Sequence, residues 1–285
     1  MCRFLVYKGR DMFMSDLLIR AEQSLIQQSF KSREREEPLN GDGFGVGWYA
    51  PEIDPTPCVF TSIQPAWSNR NLYRIAEKVK SGLFFAHVRA ASPGMAVSEL
   101  NCHPFQHDRY LWMHNGSIGE FPRIRRRLRE SLGDAAYDTI QGNTDSEHAF
   151  SVFLDQLAGG GDALSTDGLG ATVARTIDRL DAFGREAKIA TPSHFNFAVT
   201  DGRSLIATRY VSNDAVPPHT LYYALGDRFE VVAGGYRMRP AAGRAEAIII
   251  ASEPVSEQRA DWIEMPPNHM ISVTPELDVR LTPIG

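Results

Sequence analysis

The chain has 285 residues, of which 43% are hydrophobic and 23% charged, and its formal net charge is −5. These proportions are typical of a soluble globular protein, and the net negative charge removes the usual electrostatic basis for binding nucleic acid. The longest apolar runs, such as 247–251, are far shorter than the roughly 18–20 residues that a membrane-spanning helix requires. The first ten residues lack the basic and apolar regions of a secretory signal, so we expect a cytoplasmic protein with neither nucleic-acid nor membrane partners.

Signals for strands and helices alternate in the first part of the chain. A β-rich run at 2–8 predicts a buried strand that begins at the terminus. Leucines at helical spacing between Leu17 and Leu25 predict a helix, and the polar stretch within 31–40 predicts a mobile loop. Four glycines among residues 40–47 indicate backbone positions that require unusual torsions or close approach. Further strands are predicted at 44–49, 83–88 and 110–114.

The middle of the chain is predicted to be helical. Residues 123–132 place apolar side chains on one helix face, with Pro122 in the first turn, so their arginine-rich stretch is interpreted as a solvated face. A second helix is predicted to start at Thr144 or Asp145. The glycine-rich stretch 159–170 predicts a flexible loop, and apolar residues from Leu169 to Leu180 predict one more helix after it.

From residue 194 onward the pattern changes to short strand-like runs. They begin at residues 194, 204, 220, 229, 247 and 269. Such runs predict antiparallel strands that complete sheets begun by the early strands, in a layered α+β fold. We find no internal repeat and no clear linker, so the expectation is a single domain over 1–285.

The three cysteines, at positions 2, 58 and 102, are odd in number and form no CxxC pair, which argues against a disulfide framework. Cys58 and Cys102 are predicted to be packing residues. Cys2 follows the initiator Met, and a residue this small permits removal of Met1, which would make cysteine the first residue of the mature chain. Five of the eight histidines lie between positions 87 and 148, but they form no HxH or HExxH pair, so no metal site is predicted.

An N-terminal cysteine supplies a thiol nucleophile together with an α-amine whose reference pKa of about 8 suits a general base. Attack on a carboxamide produces an oxyanion that needs preorganised donors, and Asn115 and Gly116 at the end of a strand offer a side-chain amide and a backbone N–H. Arg89 and Asp145 are candidates for binding the α-carboxylate and the α-ammonium group of a substrate.

Five ordered segments carry a resemblance to a known family. They are Met1-Cys2, His87-Val88-Arg89, His103-Pro104, His114-Asn115-Gly116 and Thr144-Asp145-Ser146-Glu147. In these segments the chain resembles the class II glutamine amidotransferases, which are N-terminal-nucleophile (Ntn) hydrolases. The resemblance implies a four-layer αββα sandwich of two antiparallel sheets and a reaction that needs neither metal nor cofactor.

The resemblance also implies a role for each matching residue. Cys2 would be the nucleophile, Asn115 and Gly116 the oxyanion hole, and Arg89 the carboxylate clamp. The remaining implied substrate-binding residues are Asp145, which would bind the substrate amine, Ser92, which would assist the clamp, and His103, which would line the pocket. Asp42 is interpreted as a turn-forming residue in preference to a pocket residue.

The chain departs from the larger biosynthetic members of the family. Ala90 stands where those members have Trp, and no SGGxDS or Walker-type loop of a synthetase follows. The opening MCRFLVYKG, the NGDGFGVGWY segment and the late IIIASEP run look most like the stand-alone γ-glutamyl amidases of glutathione degradation and ergothioneine biosynthesis. We therefore expect hydrolysis of glutamine or a γ-glutamyl conjugate, with release of glutamate.

Two alternatives remain open. In the first, the chain is a glutaminase subunit that supplies ammonia to a separate protein partner, and its activity would rise when that partner is added. In the second, it is a non-catalytic γ-glutamyl-binding module, which would bind glutamate but release none. The protein partner in the first alternative would be a synthetase or a peptidase subunit. The leaving amine is not identified by sequence, because the groups that contact it are expected in variable loops such as 31–40 or 159–170.

Overall fold

The computed structural model describes residues 2–34, 39–91, 96–160 and 165–285. The strands are β1 (Arg3–Phe13), β2 (Phe44–Ala50), β3 (Asp54–Ser62), β4 (Lys80–Val88), β5 (Phe105–His107), β6 (Tyr110–Ser117), β7 (His194–Thr200), β8 (Leu205–Arg209), β9 (Tyr222–Gly226), β10 (Phe229–Val232), β11 (Gly235–Met238), β12 (Ala247–Ala251), β13 (Ile263–Glu264), β14 (His269–Val273) and β15 (Val279–Pro283). The α-helices are α1 (Leu25–Lys31), α2 (Arg70–Ala76), α3 (Phe121–Glu130), α4 (Asp134–Tyr137), α5 (Asp145–Ala158) and α6 (Thr166–Glu186).

The strands form two large antiparallel sheets and one small hairpin. The first sheet has seven strands in the order β13-β9-β12-β1-β4-β2-β3, and the second has six in the order β15-β14-β8-β7-β6-β5. Strands β10 and β11 pair only with each other. The strand that follows Cys2 is therefore central in its sheet, with β4 on one side and β12 on the other.

Three layers of apolar core separate four layers of secondary structure. The core between the helices α1 and α2 and the outer face of the first sheet includes Leu17, Leu25, Leu72, Leu5 and Phe84. The core between the two sheets includes Phe4, Phe85, Met113, Ala207 and Ile250. The core between the second sheet and α3, α5 and α6 includes Ile124, Phe153, Val173, Trp112 and Phe197. The predicted αββα sandwich is confirmed, and burial of these side chains is the main source of its stability.

Two predicted helices are confirmed together with the local signals that marked them. Pro122 lies in the first turn of α3, and Ile124 and Leu128 are buried while the arginines between them are exposed. Thr144 caps α5, because its side-chain oxygen accepts a hydrogen bond of 3.1 Å from the backbone N–H of Glu147. Among the described residues, no helix is both long enough and apolar enough to cross a membrane.

The single helix predicted around Leu17 to Leu25 is wrong. A short π-helical turn covers Asp16–Arg20, and the chain becomes extended at Ala21, with φ −59° and ψ 146°. Ser24 then caps α1 by accepting a hydrogen bond of 3.3 Å from the backbone N–H of Gln27. The apolar spacing continues through the break because both segments pack on the same sheet, so periodicity alone does not reveal it.

One loop prediction and the prediction for one cysteine are wrong, and a second predicted loop is only partly described. The loop predicted at 159–170 ends early, since Ser165 caps α6 and the helix begins at Thr166, while 161–164 lie outside the described residues. In the stretch 31–40, residues 35–38 also lie outside the described part of the chain. Cys58 is exposed on β3, an edge strand, so it is not a packing residue.

Candidate active site

The candidate nucleophile lies at the edge of the first sheet where β1 begins and β4 ends. Cys2 immediately precedes β1 and is partly buried. Arg3 pairs with Val88, so the antiparallel register brings Cys2 next to the segment that follows β4. The Sγ atom of Cys2 lies 3.6 Å from the carbonyl oxygen of Ala90. The pairing of β1 with β4 therefore brings the thiol beside Arg89 and Ala90.

Arg89 is buried, with 3% of its surface exposed, and backbone atoms hold it. Its backbone N–H donates to the carbonyl oxygen of Gly43 at 2.8 Å. Its Nη1 and Nη2 atoms donate to the carbonyl oxygens of Asp42 and Ala96, both at 3.3 Å. A guanidinium group has five N–H donors, so these two bonds orient it and leave donors for a carboxylate.

Asp42 connects the glycine-rich segment to the residues that follow β4. Its Oδ2 atom accepts a hydrogen bond of 2.8 Å from the backbone N–H of Ala91, and its own N–H donates to the carbonyl oxygen of Arg89 at 3.0 Å. Gly43 adopts a φ of +117°, which favours glycine, and a Cβ atom there would lie 2.7 Å from Sγ of Cys102. The described contacts of Asp42 thus hold the Arg89 segment in position.

Asn115 and Gly116 lie near the end of β6 in the second sheet. Asn115 is fully buried, and its Nδ2 atom donates to Oγ of Ser252 at 3.3 Å. Gly116 pairs with Phe195 of β7, and the carbonyl oxygen of His194 comes so close that a Cβ atom on Gly116 would overlap with it. The same Cβ would lie 2.6 Å from Nε2 of His114. Only glycine therefore fits this position without displacing β7.

Replacing Gly116 with alanine is expected to destabilise the protein by about 2–3 kcal/mol, because the added methyl group meets a backbone carbonyl that moves only with its strand. Urea denaturation measures the change. Gly184 in α6 is a matched control, since a Cβ added there meets no atom within 4 Å. Gly184→Ala is expected to stabilise the protein by about 0.5–1 kcal/mol through helix propensity. Equal effects of the two substitutions would contradict the steric explanation.

Asp145 is the first residue of α5, and its carboxylate faces the loop after β6. Its Oδ2 atom accepts a hydrogen bond of 2.9 Å from the backbone N–H of Ile118, and Oδ1 accepts one of 2.8 Å from that of Ser146. The N-terminal end of a helix favours a negative charge at this position. Each carboxylate oxygen can accept a further bond, so this partly exposed group can also bind an ammonium ion.

Three histidines of the motif segments, His87, His103 and His114, are buried. The ring of His103 stacks on that of His87 with 4.2 Å between the centroids, and within the described residues neither ring has a hydrogen-bond partner. His114 donates from Nε2 to the carbonyl oxygen of His194 at 2.9 Å and accepts at Nδ1 from the hydroxyl of Ser146, also at 2.9 Å. His103 is only 3% exposed, so its pocket-lining role stays a prediction. Ser92 lies outside the described residues.

These histidines make stability depend on pH. Burial lowers the pKa of His87 to about 3 and lowers the pKa values of His103 and His114 below the ordinary value. The unfolded chain binds protons at these sites below about pH 6.5, whereas the folded chain does not. Stability is therefore fully present above pH 6.5 and is lost as the pH falls toward the folded pKa values.

We expect the free energy of unfolding to fall by as much as about 1.4 kcal/mol per pH unit for each such histidine. Urea denaturation between pH 7 and pH 5 measures the slope. In the His87→Leu variant the slope of the unfolding free energy against pH should be smaller than in the wild type by the contribution of one proton, about 1.4 kcal/mol per pH unit at most. A wild-type free energy of unfolding that does not change over this range would refute the expectation.

An ion pair beside Cys2 was not predicted from the sequence, and one of its members, Arg3, is the first residue of β1. Arg3 and Glu253 form a buried ion pair with 2.6 Å between Nε and Oε1, and Nη1 of Arg3 donates to the carbonyl oxygen of Cys2 at 3.1 Å. Glu253 also accepts hydrogen bonds from the hydroxyl of Ser32 and from the backbone N–H of Arg33. A charged residue directly after Cys2, and another after the apolar run 247–251, are the sequence signals that could have identified this pair.

The candidate residues come from both sheets. Cys2 and Arg89 belong to the first sheet and its loops, and Asn115 and Gly116 belong to the second. The chain 2–34, 39–91, 96–160 and 165–285 contains no cluster of three or more His, Cys, Asp or Glu side chains arranged to hold a metal ion. The site as described offers a thiol, hydrogen-bond donors for an oxyanion, and groups of both charges for a substrate.

A family model and several known proteins match the chain. The model described as "Glutamine amidotransferases class-II" matches residues 14–278, a range that begins after Cys2. The probable glutamine amidotransferase DUG3 of Saccharomyces cerevisiae is 41% identical over 292 residues, which cover 96% of this chain and 82% of the yeast protein.

More distant relatives agree with this match. The γ-glutamyl-hercynylcysteine sulfoxide hydrolase of Mycobacterium tuberculosis is 26% identical over 275 residues, covering 96% of this chain and 93% of that protein. The solved structure of a glutamine aminotransferase class-II domain protein from Silicibacter pomeroyi covers the whole of both chains with a TM-score of 0.68 and 27% identity.

Proposed function

This chain belongs to the class II glutamine amidotransferases, and on that premise we propose that it hydrolyses the γ-glutamyl amide bond of glutamine or of a small γ-glutamyl conjugate. The observation that carries the proposal is the convergence of Cys2 with the buried Arg89 segment, where Sγ lies 3.6 Å from the carbonyl oxygen of Ala90. A thiol beside an arginine that uses only two of its five side-chain donors in the described hydrogen bonds suits a substrate that bears both a carboxylate and a reactive carbonyl.

The proposed reaction begins with binding of the glutamyl group. Its α-carboxylate would bind the guanidinium of Arg89, and its α-ammonium would bind the carboxylate of Asp145. These two charges fix one end of the substrate, so the γ-carbonyl is selected by its distance from the α-carbon. Specificity for γ-linked glutamyl compounds follows from this arrangement.

The chemical steps then use Cys2 twice. Once Met1 is removed, the α-amine of Cys2 would take the thiol proton as the sulfur attacks the γ-carbonyl carbon. The oxyanion would be stabilised by the Nδ2 group of Asn115 and the backbone N–H of Gly116. The protonated α-amine of Cys2 then returns the proton to the leaving amine as the C–N bond breaks. A γ-glutamyl thioester remains on Cys2. Water, deprotonated by the same amine, hydrolyses the thioester to glutamate and regenerates the thiol.

A turnover panel tests this function. Glutamine, glutathione and other γ-glutamyl conjugates are incubated with the protein, and released glutamate is measured. Two controls probe the recognition: an α-linked glutamyl dipeptide has the wrong linkage, and asparagine is one methylene shorter. We expect glutamate from at least one γ-linked compound and no hydrolysis of either control. Absence of glutamate from every γ-linked compound would refute the proposal.

The same panel, repeated with a candidate partner added, tests the fate of the amine. The matched yeast protein carries the name of an amidotransferase and the mycobacterial protein that of a hydrolase. We propose hydrolysis by a single domain over 1–285 in the cytoplasm. The alternative is delivery of ammonia to a protein partner, a synthetase or peptidase subunit, which a rise in turnover on adding that partner would reveal.

Replacing Arg89 with lysine is expected to lower kcat/KM for glutamine by about 10- to 100-fold, mainly by raising KM, because a lysine cannot form the bidentate bond to a carboxylate. The control is a substrate change: the α-carboxamide analogue of glutamine lacks the carboxylate. Arg89→Lys should alter kcat/KM for this analogue by less than threefold or so, on the same physical basis. Equal losses for both compounds would exclude a clamp role for Arg89.

A further inference from the structure

Ser252 forms hydrogen bonds to both large sheets: to β1, which follows Cys2, and to Asn115 of the candidate oxyanion hole. It follows the last residue of β12 and is fully buried. Its Oγ atom accepts a hydrogen bond of 3.1 Å from the backbone N–H of Phe4 and one of 3.3 Å from Nδ2 of Asn115. One hydroxyl therefore contacts a residue of β1, two positions after Cys2, and a side chain of β6 in the other sheet.

The backbone of Ser252 is fixed from both sides. Its N–H donates to the carbonyl oxygen of Phe4 at 3.0 Å, and its carbonyl oxygen accepts a bond of 3.0 Å from the hydroxyl of Thr220. Because the main chain is held in this way, the position of Oγ is determined by a single side-chain torsion. The hydroxyl is a rigid reference point for the Asn115 amide.

The Asn115 amide depends on this contact for its orientation. Within the described residues its Oδ1 atom is buried without a hydrogen-bond partner, so the bond from Nδ2 to Ser252 restrains rotation of the amide. Nδ2 carries two hydrogens. One is held by Ser252, and the second is left for the oxyanion of the reaction.

We propose that Ser252 is a positioning residue that holds the Asn115 amide as an oxyanion donor, an inference that rests on the proposed function. Loss of an oxyanion-hole donor costs about 10²- to 10³-fold in kcat, and a donor that is present but free to rotate retains part of its effect. Ser252→Ala is therefore expected to lower kcat for glutamine by about 10- to 100-fold. KM should change little, because the described hydrogen bonds of Ser252 are to Phe4, Asn115 and Thr220, and none is to Arg89 or Asp145.

The test is a double-mutant cycle with a second readout. The kcat and KM values are measured for the wild type, Ser252→Ala, Asn115→Ala and the double variant. The rate of Cys2 alkylation by iodoacetamide is measured in parallel, because that displacement forms no tetrahedral oxyanion. Ser81→Ala is the matched control: Ser81 is also buried in the first sheet and accepts a backbone N–H bond, from Leu83 at 3.1 Å, but it lies near the opposite end of β4.

We expect Ser252→Ala to lower kcat in the wild-type background and to have no further effect when Asn115 is alanine. Alkylation of Cys2 should proceed at the wild-type rate, and Ser81→Ala should leave kcat unchanged. Equal losses of kcat in both backgrounds, or alkylation slowed as much as kcat, would overturn the proposal, because the hydroxyl would then act on the strand of Cys2.

Two further results keep the test decisive. If Ser252→Ala does not fold, Ser252→Cys replaces the hydroxyl with a near-isosteric but weaker acceptor. A reduced kcat for Ser252→Cys supports the proposal, and a wild-type kcat overturns it. A wild-type protein that releases no glutamate from any γ-linked compound refutes the proposed function itself, whereas an active wild type with an unaltered Ser252→Ala variant refutes only the role of Ser252.

Discussion

Replacing Cys2 with alanine is expected to abolish glutamate release and to leave the fold intact. The substitution removes only the sulfur of a partly buried thiol, which lies 3.6 Å from the carbonyl oxygen of Ala90. A thiol is a weak donor, so the free energy of unfolding should change by less than about 1 kcal/mol. Loss of a covalent nucleophile lowers turnover by about 10⁴-fold or more, which places the variant below detection in the glutamate assay.

Two measurements complete this prediction. Cys58→Ala removes an exposed thiol on an edge strand and should retain full activity, which shows that loss of a thiol as such is harmless. The intact mass of the active protein should correspond to a chain that begins at Cys2. Turnover by Cys2→Ala would exclude the thiol as the nucleophile. Met1 retained in fully active protein would exclude the α-amine of Cys2 as the general base.

The largest change in stability is expected from Glu253→Gln. Both members of the Arg3–Glu253 pair are almost fully buried, with 2% and 3% of their side chains exposed. The substitution leaves the charge of Arg3 buried without its counter-ion, which costs about 3–5 kcal/mol. Urea denaturation at pH 7 measures the loss.

The dependence of this loss on pH has a definite sign. Burial works to raise the pKa of Glu253, but the charge of Arg3 and the hydrogen bonds from Ser32 and Arg33 outweigh it, so the pKa lies below the ordinary value. The stabilisation is therefore fully present above the unfolded pKa of about 4.3 and is lost as the pH falls through the folded value. The wild type and the variant should approach equal stability in strong acid.

Glu257 provides the matched control for this substitution. It pairs with Arg33 at 2.8 Å, but the two side chains are 58% and 49% exposed, so Glu257→Gln should cost less than about 1 kcal/mol. If Glu253→Gln lowers the free energy of unfolding no more than Glu257→Gln does, burial of the Arg3–Glu253 pair does not increase its contribution to stability.

Local signals account for the parts of the fold that sequence predicted correctly. The start of α5 at Asp145 follows from the Thr144 cap, and the solvated arginine face of α3 follows from its apolar spacing. The late strand runs are recognisable because several are continuously apolar. The break at Ala21 was missed because it depends on packing of both flanking segments against one sheet.

The candidate site residues that the sequence predicts all lie in recognisable segments. Arg89, Asn115 and Asp145 stand in ordered motifs, whereas Arg3, Ser252 and Glu253 act through contacts between residues about 250 positions apart or in different sheets. No local pattern specifies which strand lies beside β1. The connection of Ser252 to Asn115 therefore needed the three-dimensional arrangement.

The central position of β1 has a consequence for how the protein is made. One neighbour of β1, β4, is synthesised early, but the other, β12, comes from residues 247–251. At about 5–20 residues per second, a ribosome completes β12 about 10–50 s after β1. Throughout that interval the growing chain has neither Ser252 nor Glu253, and long-range pairing of this kind also slows refolding. A polypeptide that ends before residue 247 thus contains Cys2 but lacks β12, Ser252 and Glu253, so we expect catalysis only after translation has passed residue 253.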